Sequence, residues 1–269
     1  MTNLSQSGKV VIVTGANRGL GRKAFAAAFA AANAKAIVLV ARDISSLVEV
    51  EKDIGAINPK VQVMKTQADI TDLAAVEKVY QKVKEKFGSA HVLVNNAGVL
   101  TSPKPISDTA IEDWWKCWEI NVKGTIQMTQ GFLKLLGSQD LGTVINLATT
   151  GSLGIYPAMS SYTVSKLAAV HLQSFVTAEN PNVTAVSLDP CLAETDMLMD
   201  DFKSMNLIDF GLIGGSALWL TTEDAKFMNG RVFNVTWDAD ELMQRREEVV
   251  KDNLLRFGFH GRLGKDQFK

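Results

Sequence analysis

The sequence predicts an α/β protein: a doubly wound parallel sheet of about seven strands with helices on both faces. Three observations predict it. Short β-rich runs alternate with longer helical patterns along the chain. The strand runs are continuous in Val, Ile and Leu instead of alternating, the pattern of a sheet buried on both faces. The helical patterns between them are long enough for right-handed crossovers. A sheet of this kind binds ligands at the carboxyl ends of its strands. The residues just after each strand therefore carry the functional signal.

The elements follow in order. Residues 9–14 read as a strand and 20–32 as an Ala/Phe-rich helix. Strand 36–41 leads to helix 44–57, and strand 61–66 to helix 72–87. Strand 91–95 precedes a long helix over 109–136. Strand 143–147, helix 161–179, strand 183–188 and a late strand 231–235 complete the pattern. No internal repeat, low-complexity tract or Pro/Gly/Ser linker interrupts it, so residues 1–269 are expected to form one domain.

Composition narrows the function. The 269 residues carry 28 Lys+Arg and 29 Asp+Glu, a net charge of −1, which argues against nucleic acid or an anionic membrane as the main partner. Cys117 and Cys191 cannot form a disulfide framework and read as reduced cytoplasmic thiols. His91, His171 and His260 form no cluster at metal-ligand spacing, so no metal site is expected. No apolar run of about 18 residues points to a membrane span, and the polar first nine residues lack an apolar signal core.

The first strand ends in Thr14-Gly15-Ala16-Asn17-Arg18-Gly19-Leu20-Gly21. Glycines there permit a tight turn and close backbone approach to a phosphate, and the next helix offers its N–H groups to that charge. In dinucleotide folds an acid about 20 residues on binds a ribose 2′-hydroxyl, whereas an Arg suits a 2′-phosphate. Arg42 stands at that place and Arg18 is a second cation nearby, which favours NADP(H). Asp43 is the competing reading, because a one-residue shift would put the acid there. The spacing resembles the T-G-x-x-x-G-x-G of the short-chain dehydrogenase/reductase family, whose members have the Rossmann fold.

The resemblance implies cofactor contacts from Gly15, Asn17, Arg18, Gly19, Leu20 and Gly21. It implies that Asp69 and Ile70 meet the adenine, although Asp69 or Asp72 could instead cap the next helix. Asn95, Ala97 and Gly98, within Asn95-Asn96-Ala97-Gly98, are expected to brace the sheet and line the nicotinamide-ribose channel.

Tyr162 and Lys166 are four residues apart, on one face of a helix. A phenol titrates near pH 10, and a neighbouring ammonium favours its ionised form. Tyr162 could then exchange a proton with a carbonyl oxygen. The pair matches the family's Y-x-x-x-K, which implies that Lys166 also holds the ribose hydroxyls. The family's Ser, 13 residues before the Tyr, falls on Thr149, which has the same hydroxyl capacity; Ser152 is the nearby alternative. Asn121, in Asn121-Val122-Lys123-Gly124, matches the family's fourth catalytic residue, which holds a relay water, and is expected to interrupt its helix locally. Pro190, Ala193 and Thr195 fall in the family's P-G-x-V-x-T, beside the nicotinamide carboxamide, with Cys191 in place of Gly.

Residues 192–214 are expected to form a substrate lid. Met197, Leu198, Met199, Phe202 and Met205 suit a wall that repacks around an apolar ligand; an amphipathic helix on the core is the competing reading. Leu153, Ile155, Tyr156, Pro157 and Met159 form the facing loop. The substrate expected is a hydrophobic carbonyl or alcohol, aromatic, terpenoid or polyketide-like, not a sugar. Trp114, Trp115 and Trp118 are expected to pack within the core or a subunit contact. The resemblance implies a homodimer or homotetramer, and the helical tail over 239–269 resembles those of fungal members active in secondary metabolism. The expectation is a cytoplasmic NADPH-dependent ketone or aldehyde reductase. The alternative is a cofactor-binding scaffold supporting a non-redox step or a partner.

Overall fold

The computed structural model describes residues 3–138 and 140–258. Aliphatic runs form seven strands: β1 (Val10–Thr14), β2 (Ala36–Ala41), β3 (Gln62–Gln67), β4 (Val92–Asn95), β5 (Gly142–Leu147), β6 (Val183–Asp189) and β7 (Val232–Asn234). They make one sheet in the order β3-β2-β1-β4-β5-β6-β7, with every pairing parallel. The order reverses between β1 and β4, and the reversal leaves a crevice at their carboxyl ends.

The helices lie on both faces, as the continuous apolar strands require. Val11 and Val13 of β1 join one core with Phe29 of α1 (Ala27–Ala31), Ile54 of α2 (Val48–Ile57) and Ile213 of α7 (Phe210–Trp219). Val10 and Ile12 point the other way. They join Tyr80 of α3 (Leu73–Phe87), Phe132 of α5 (Thr125–Leu136) and Val176 of α6 (Ser160–Glu179). Each fully buried Val or Ile adds about 1.5–3 kcal/mol, so the two-sided core fixes the strand register.

The expected helix over 20–32 opens as a π-helical turn, Gly21–Ala26, before α1. The expected helix over 109–136 is three pieces: α4 (Ile111–Trp118), a π-helical turn Glu119–Gly124, and α5. Asn121 sits in that turn. Its Oδ1 accepts from the Val99 N–H (2.8 Å), and its Nδ2 donates to the Val99 carbonyl and Ser165 Oγ (3.0 Å each). The amide thus bonds outside the helix ladder, where the ladder is widened.

The tail is two short helices, α8 (Ala239–Gln244) and α9 (Arg246–Lys251), not one continuous helix. Buried Arg231 pins it, donating to the carbonyls of Val249 and Leu254 as well as Phe227 and Asn229. The part of the expected extension from residue 259 onward, with His260, lies outside the described residues. Among the described residues no helix is long and apolar enough to cross a membrane, and no group of His, Cys, Asp and Glu could hold a metal ion.

Candidate active site

The crevice is a cleft of about 1050 Å³ at the carboxyl ends of the strands. Its floor is tied across the β1–β4 switch by two side chains. Thr14 Oγ1 accepts from the N–H groups of Asn96 and Ala97 (3.0 Å each). Asn96 Nδ2 donates to the carbonyls of Thr14 (2.8 Å) and Gly15 (3.1 Å). Gly15 and Gly19 have φ of +61° and +51°, a region that residues with a Cβ rarely adopt. Gly15, Asn17, Arg18, Gly19 and Leu20 line the cleft. Gly21 does not: a Cβ there would meet the Gly15 carbonyl at 2.3 Å, so it serves close packing behind the turn.

Arg42, Asp43, Asp69 and Ile70 line one end of the cleft. Asp43 Oδ1 accepts from the N–H and hydroxyl of Ser45 (2.9 and 2.8 Å), which hold its pKa down. Asp72 caps α3 by accepting from Ala74 (2.9 Å) and Ala75 (3.3 Å). Asp69 is therefore not needed as the cap. It lies at the cleft and accepts from the Thr71 N–H and hydroxyl. Burial opposes its charge, but those bonds and the charges of Arg42 and Lys123 bring its pKa below the usual range. Arg18 crosses the cleft mouth to Asp196 (2.7 Å), both well exposed.

Tyr162, Lys166 and Thr149 line the middle of the cleft. Lys166 is 7% exposed, and its Nζ donates to the Leu147 carbonyl (2.7 Å) and stands 5.9 Å from the Tyr162 ring centroid. Burial lowers its pKa to about 8, against the raising charges of Cys117 and Asp189. The expectation that the ammonium would acidify Tyr162 is corrected. Burial, then the charges of Asp189 and Cys117, push that phenol up to about 12. Desolvation outweighs a lysine that donates its hydrogen bond to a backbone carbonyl.

Thr149, extended at the end of β5, accepts from the Gly151 N–H (3.2 Å). Ser152, the alternative, is buried, and its hydroxyl is spent on the Thr149 carbonyl (2.6 Å). Asn121 and Asn95 do not line the cleft. Asn121 sits behind Gly98, where an added Cβ would meet its Oδ1 at 3.2 Å and Lys166 Nζ at 3.5 Å. Asn95 is buried and donates to Thr129 Oγ1 and Asn146 Oδ1, so it braces the sheet instead of facing a ligand. Ala97 and Gly98 do line the cleft.

Pro190, Cys191, Ala193 and Thr195 line the wall after β6. Cys191 takes φ of +55° where the family motif has Gly, a strain of about 1–2 kcal/mol. Of the expected lid, Met197, Leu198, Met199, Phe202 and Met205 line the cleft, whereas Ile208 and Phe210 pack on the core. On the facing loop Tyr156 and Met159 reach the cleft, but Ile155 is 95% exposed. The three Trp rings stack on one another, and Trp114 Nε1 donates to Ser160 Oγ at the start of α6 (3.1 Å).

Sequence reasoning gave no role to Asp189, which ties the strand ends, and covered Asn96, which ties the turn, only through the expectation that amides after β4 brace the sheet. The only sequence signal was their place directly after a buried strand.

Comparison with known proteins agrees with this layout. The family described as short chain dehydrogenase matches residues 9–206. The short chain dehydrogenase citE of Monascus ruber is 34% identical over 259 residues, covering 93% of this chain and 88% of the relative. The short chain dehydrogenase andI of Emericella variicolor is 31% identical, covering 93% and 88%. Levodione reductase superposes with a TM-score of 0.79 at 25% identity, covering 87% of this chain and 98% of that one. A 7α-hydroxysteroid dehydrogenase complexed with NADH and 7-oxo glycochenodeoxycholic acid shares the fold, with a TM-score of 0.79 at 24% identity, covering 86% and 94%. With the family model matching most of its length and relatives above 30% identity, the chain belongs to the short-chain dehydrogenase family of oxidoreductases.

Proposed function

We propose that this protein is an NADP(H)-dependent reductase of bulky, apolar ketones or aldehydes, able to run in reverse on secondary alcohols. The observation that carries the reading is one cleft with a glycine cradle at one end, Tyr162, Lys166 and Thr149 in the middle, and a Met-rich wall beyond. The residues fit a dinucleotide: the turn at Gly15 and Gly19 leaves backbone exposed where a side chain would block a phosphate. Arg42 supplies a cation for a 2′-phosphate, Arg18 adds a second when its exposed bridge to Asp196 opens, and the competing Asp43 is engaged by Ser45.

When bound, the nicotinamide supplies or takes the hydride. Tyr162 keeps its proton at neutral pH and gives it to the substrate oxygen as negative charge develops there. Thr149 donates a hydrogen bond to that oxygen. Lys166 has three donors; one is on Leu147, and the others serve the ribose hydroxyls. Asn121 holds the backbone behind Gly98 and Lys166, and a relay water beside it is part of this reading. Asp69, Ile70, Ala97, Gly98, Pro190, Ala193 and Thr195 complete the cofactor wall.

The exposed Ile111 and Trp115 of α4 and Val164 and Phe175 of α6 support pairing of subunits as a homodimer or homotetramer. The likeness to short chain dehydrogenases of Monascus ruber and Emericella variicolor supports a fungal-type member, and a cytoplasmic place in secondary metabolism is part of this proposal.

The test is steady-state consumption of NADPH and NADH with a panel of bulky aromatic ketones and a sugar aldehyde as control. NADPH is expected to give kcat/KM at least about tenfold above NADH, and Arg42→Asp to reverse the preference. An unchanged preference in that variant removes Arg42 from its role. Turnover of the sugar alone contradicts the substrate class.

A further inference from the structure

Asp189 ends β6 and is 2% exposed, yet the mechanism above does not use it. Each of its oxygens receives donors. Oδ2 accepts from the Thr150 N–H (2.7 Å) and Asn234 Nδ2 (3.0 Å), and Oδ1 accepts from the Cys191 N–H (2.9 Å). Asn234 cannot turn its amide round. Its own Oδ1 accepts from the Thr236 N–H (2.9 Å), the Thr236 hydroxyl (2.6 Å) and Cys191 Sγ (3.3 Å). Three donors on two oxygens call for an acceptor-only group. An amide or a protonated acid at this place would set one donor against another.

The three donors sit on three different strand ends. Thr150 follows the proposed hydroxyl donor Thr149 after β5, Cys191 heads the cleft wall after β6, and Asn234 ends β7. The geometry points to Asp189 as a positioning residue: its carboxylate clamps the Thr149–Thr150 turn to the Pro190–Cys191 turn and so sets the width of the reacting site. Holding Cys191 at positive φ without glycine's freedom is part of the same task. The inference rests on the reductase reading for the role of Thr149.

The charge has a second effect that a merely structural residue would lack. Tyr162 faces Lys166 from its own helix, Cys117 from α4 and Asp189 from β6. Lys166 faces Asp189 and Cys117, and Cys191 faces Asp189. Asp189 raises the pKa of all three groups, so it keeps the proton on the phenol and on the ammonium.

The test compares wild type with Asp189→Asn, which keeps the shape and removes the charge. Asp189→Asn is expected to lower kcat at least about tenfold, with the NADPH dissociation constant within about threefold of wild type. The high-pH limb of its reduction rate, set by Lys166, is expected to move to lower pH. A kcat within twofold of wild type, or an unmoved limb, overturns the proposal. If wild type reduces no carbonyl compound, the reductase reading fails separately and thiol chemistry decides on Asp189. Cys117 is fully buried, so iodoacetamide reads Cys191, with Cys191→Ser as the blank. The pH midpoint of alkylation is expected to be lower in Asp189→Asn, and equal midpoints overturn the clamp.

Discussion

Burial strips the Lys166 ammonium of water and brings its pKa from 10.5 to about 8. The unfolded chain therefore binds more protons than the folded one between about pH 8 and 10.5, and stability from this group rises with pH across that window. Below it the buried ammonium is a net cost. Lys166→Met should thus raise stability at pH 7 by about 1–3 kcal/mol, seen as a higher melting temperature by calorimetry, with the gap to wild type closing as pH rises above 8. A Met variant no more stable than wild type at pH 7 contradicts this account of the site. On the proposed mechanism the same titration governs the reduction rate. It should be level through neutral pH and fall above about pH 8 as Lys166 loses its proton, while alcohol oxidation, which needs the phenolate, rises with pH. That Tyr162, Lys166 and Thr149 would meet in one cleft was legible in the sequence through their match to the family's motif. The role of Asp189 was not, since two of its three bonds reach partners 39 and 45 residues away.

The long helix after β4 shows what periodicity reads and what it misses. Its amphipathic pattern locates α4 and α5 together, and the Asn121-to-Gly124 motif marks the interruption. The π-helical register itself depends on Val99 and Ser165, which belong to other elements. Asn121→Ala would leave the Val99 N–H without its partner beneath the cleft and its carbonyl with only the weak Cys117 Sγ donor. Each such loss costs about 1–3 kcal/mol. The melting temperature should fall by about 5–10 °C, and the rate should fall with it because the amide holds Val99 and Ser165, the chain neighbours of Gly98 and Lys166. A variant of unchanged stability would show that the amide is replaceable there. Element boundaries elsewhere shift by a residue or so, as at β3 and α6, because strand ends are set by pairing with neighbours that local sequence does not contain.

At the scale of the molecule, the alternation of apolar runs determines a sheet buried on both faces, and the sheet order determines where a ligand enters. That much was legible from pattern alone. The lining of the cleft was not, because it depends on the Arg18–Asp196 pair at its mouth and on the segment after β6, where Met197 to Met205 line the cleft while Ile208 and Phe210 pack on the core. Both follow from tertiary contacts. On the proposed mechanism, a phenol pushed up to about 12 keeps its proton at neutral pH and serves reduction there, and the reverse direction is served only at higher pH.

That claim is tested most directly by single-turnover reduction of a bulky ketone with NADPH, comparing wild type with Tyr162→Phe, while NADPH binding is followed by its fluorescence. The ring remains and only the hydroxyl is lost. The account predicts NADPH affinity within about threefold of wild type and a hydride-transfer rate lower by about 10²–10⁴. A variant that binds NADPH equally well and reduces the ketone as fast as wild type would contradict it.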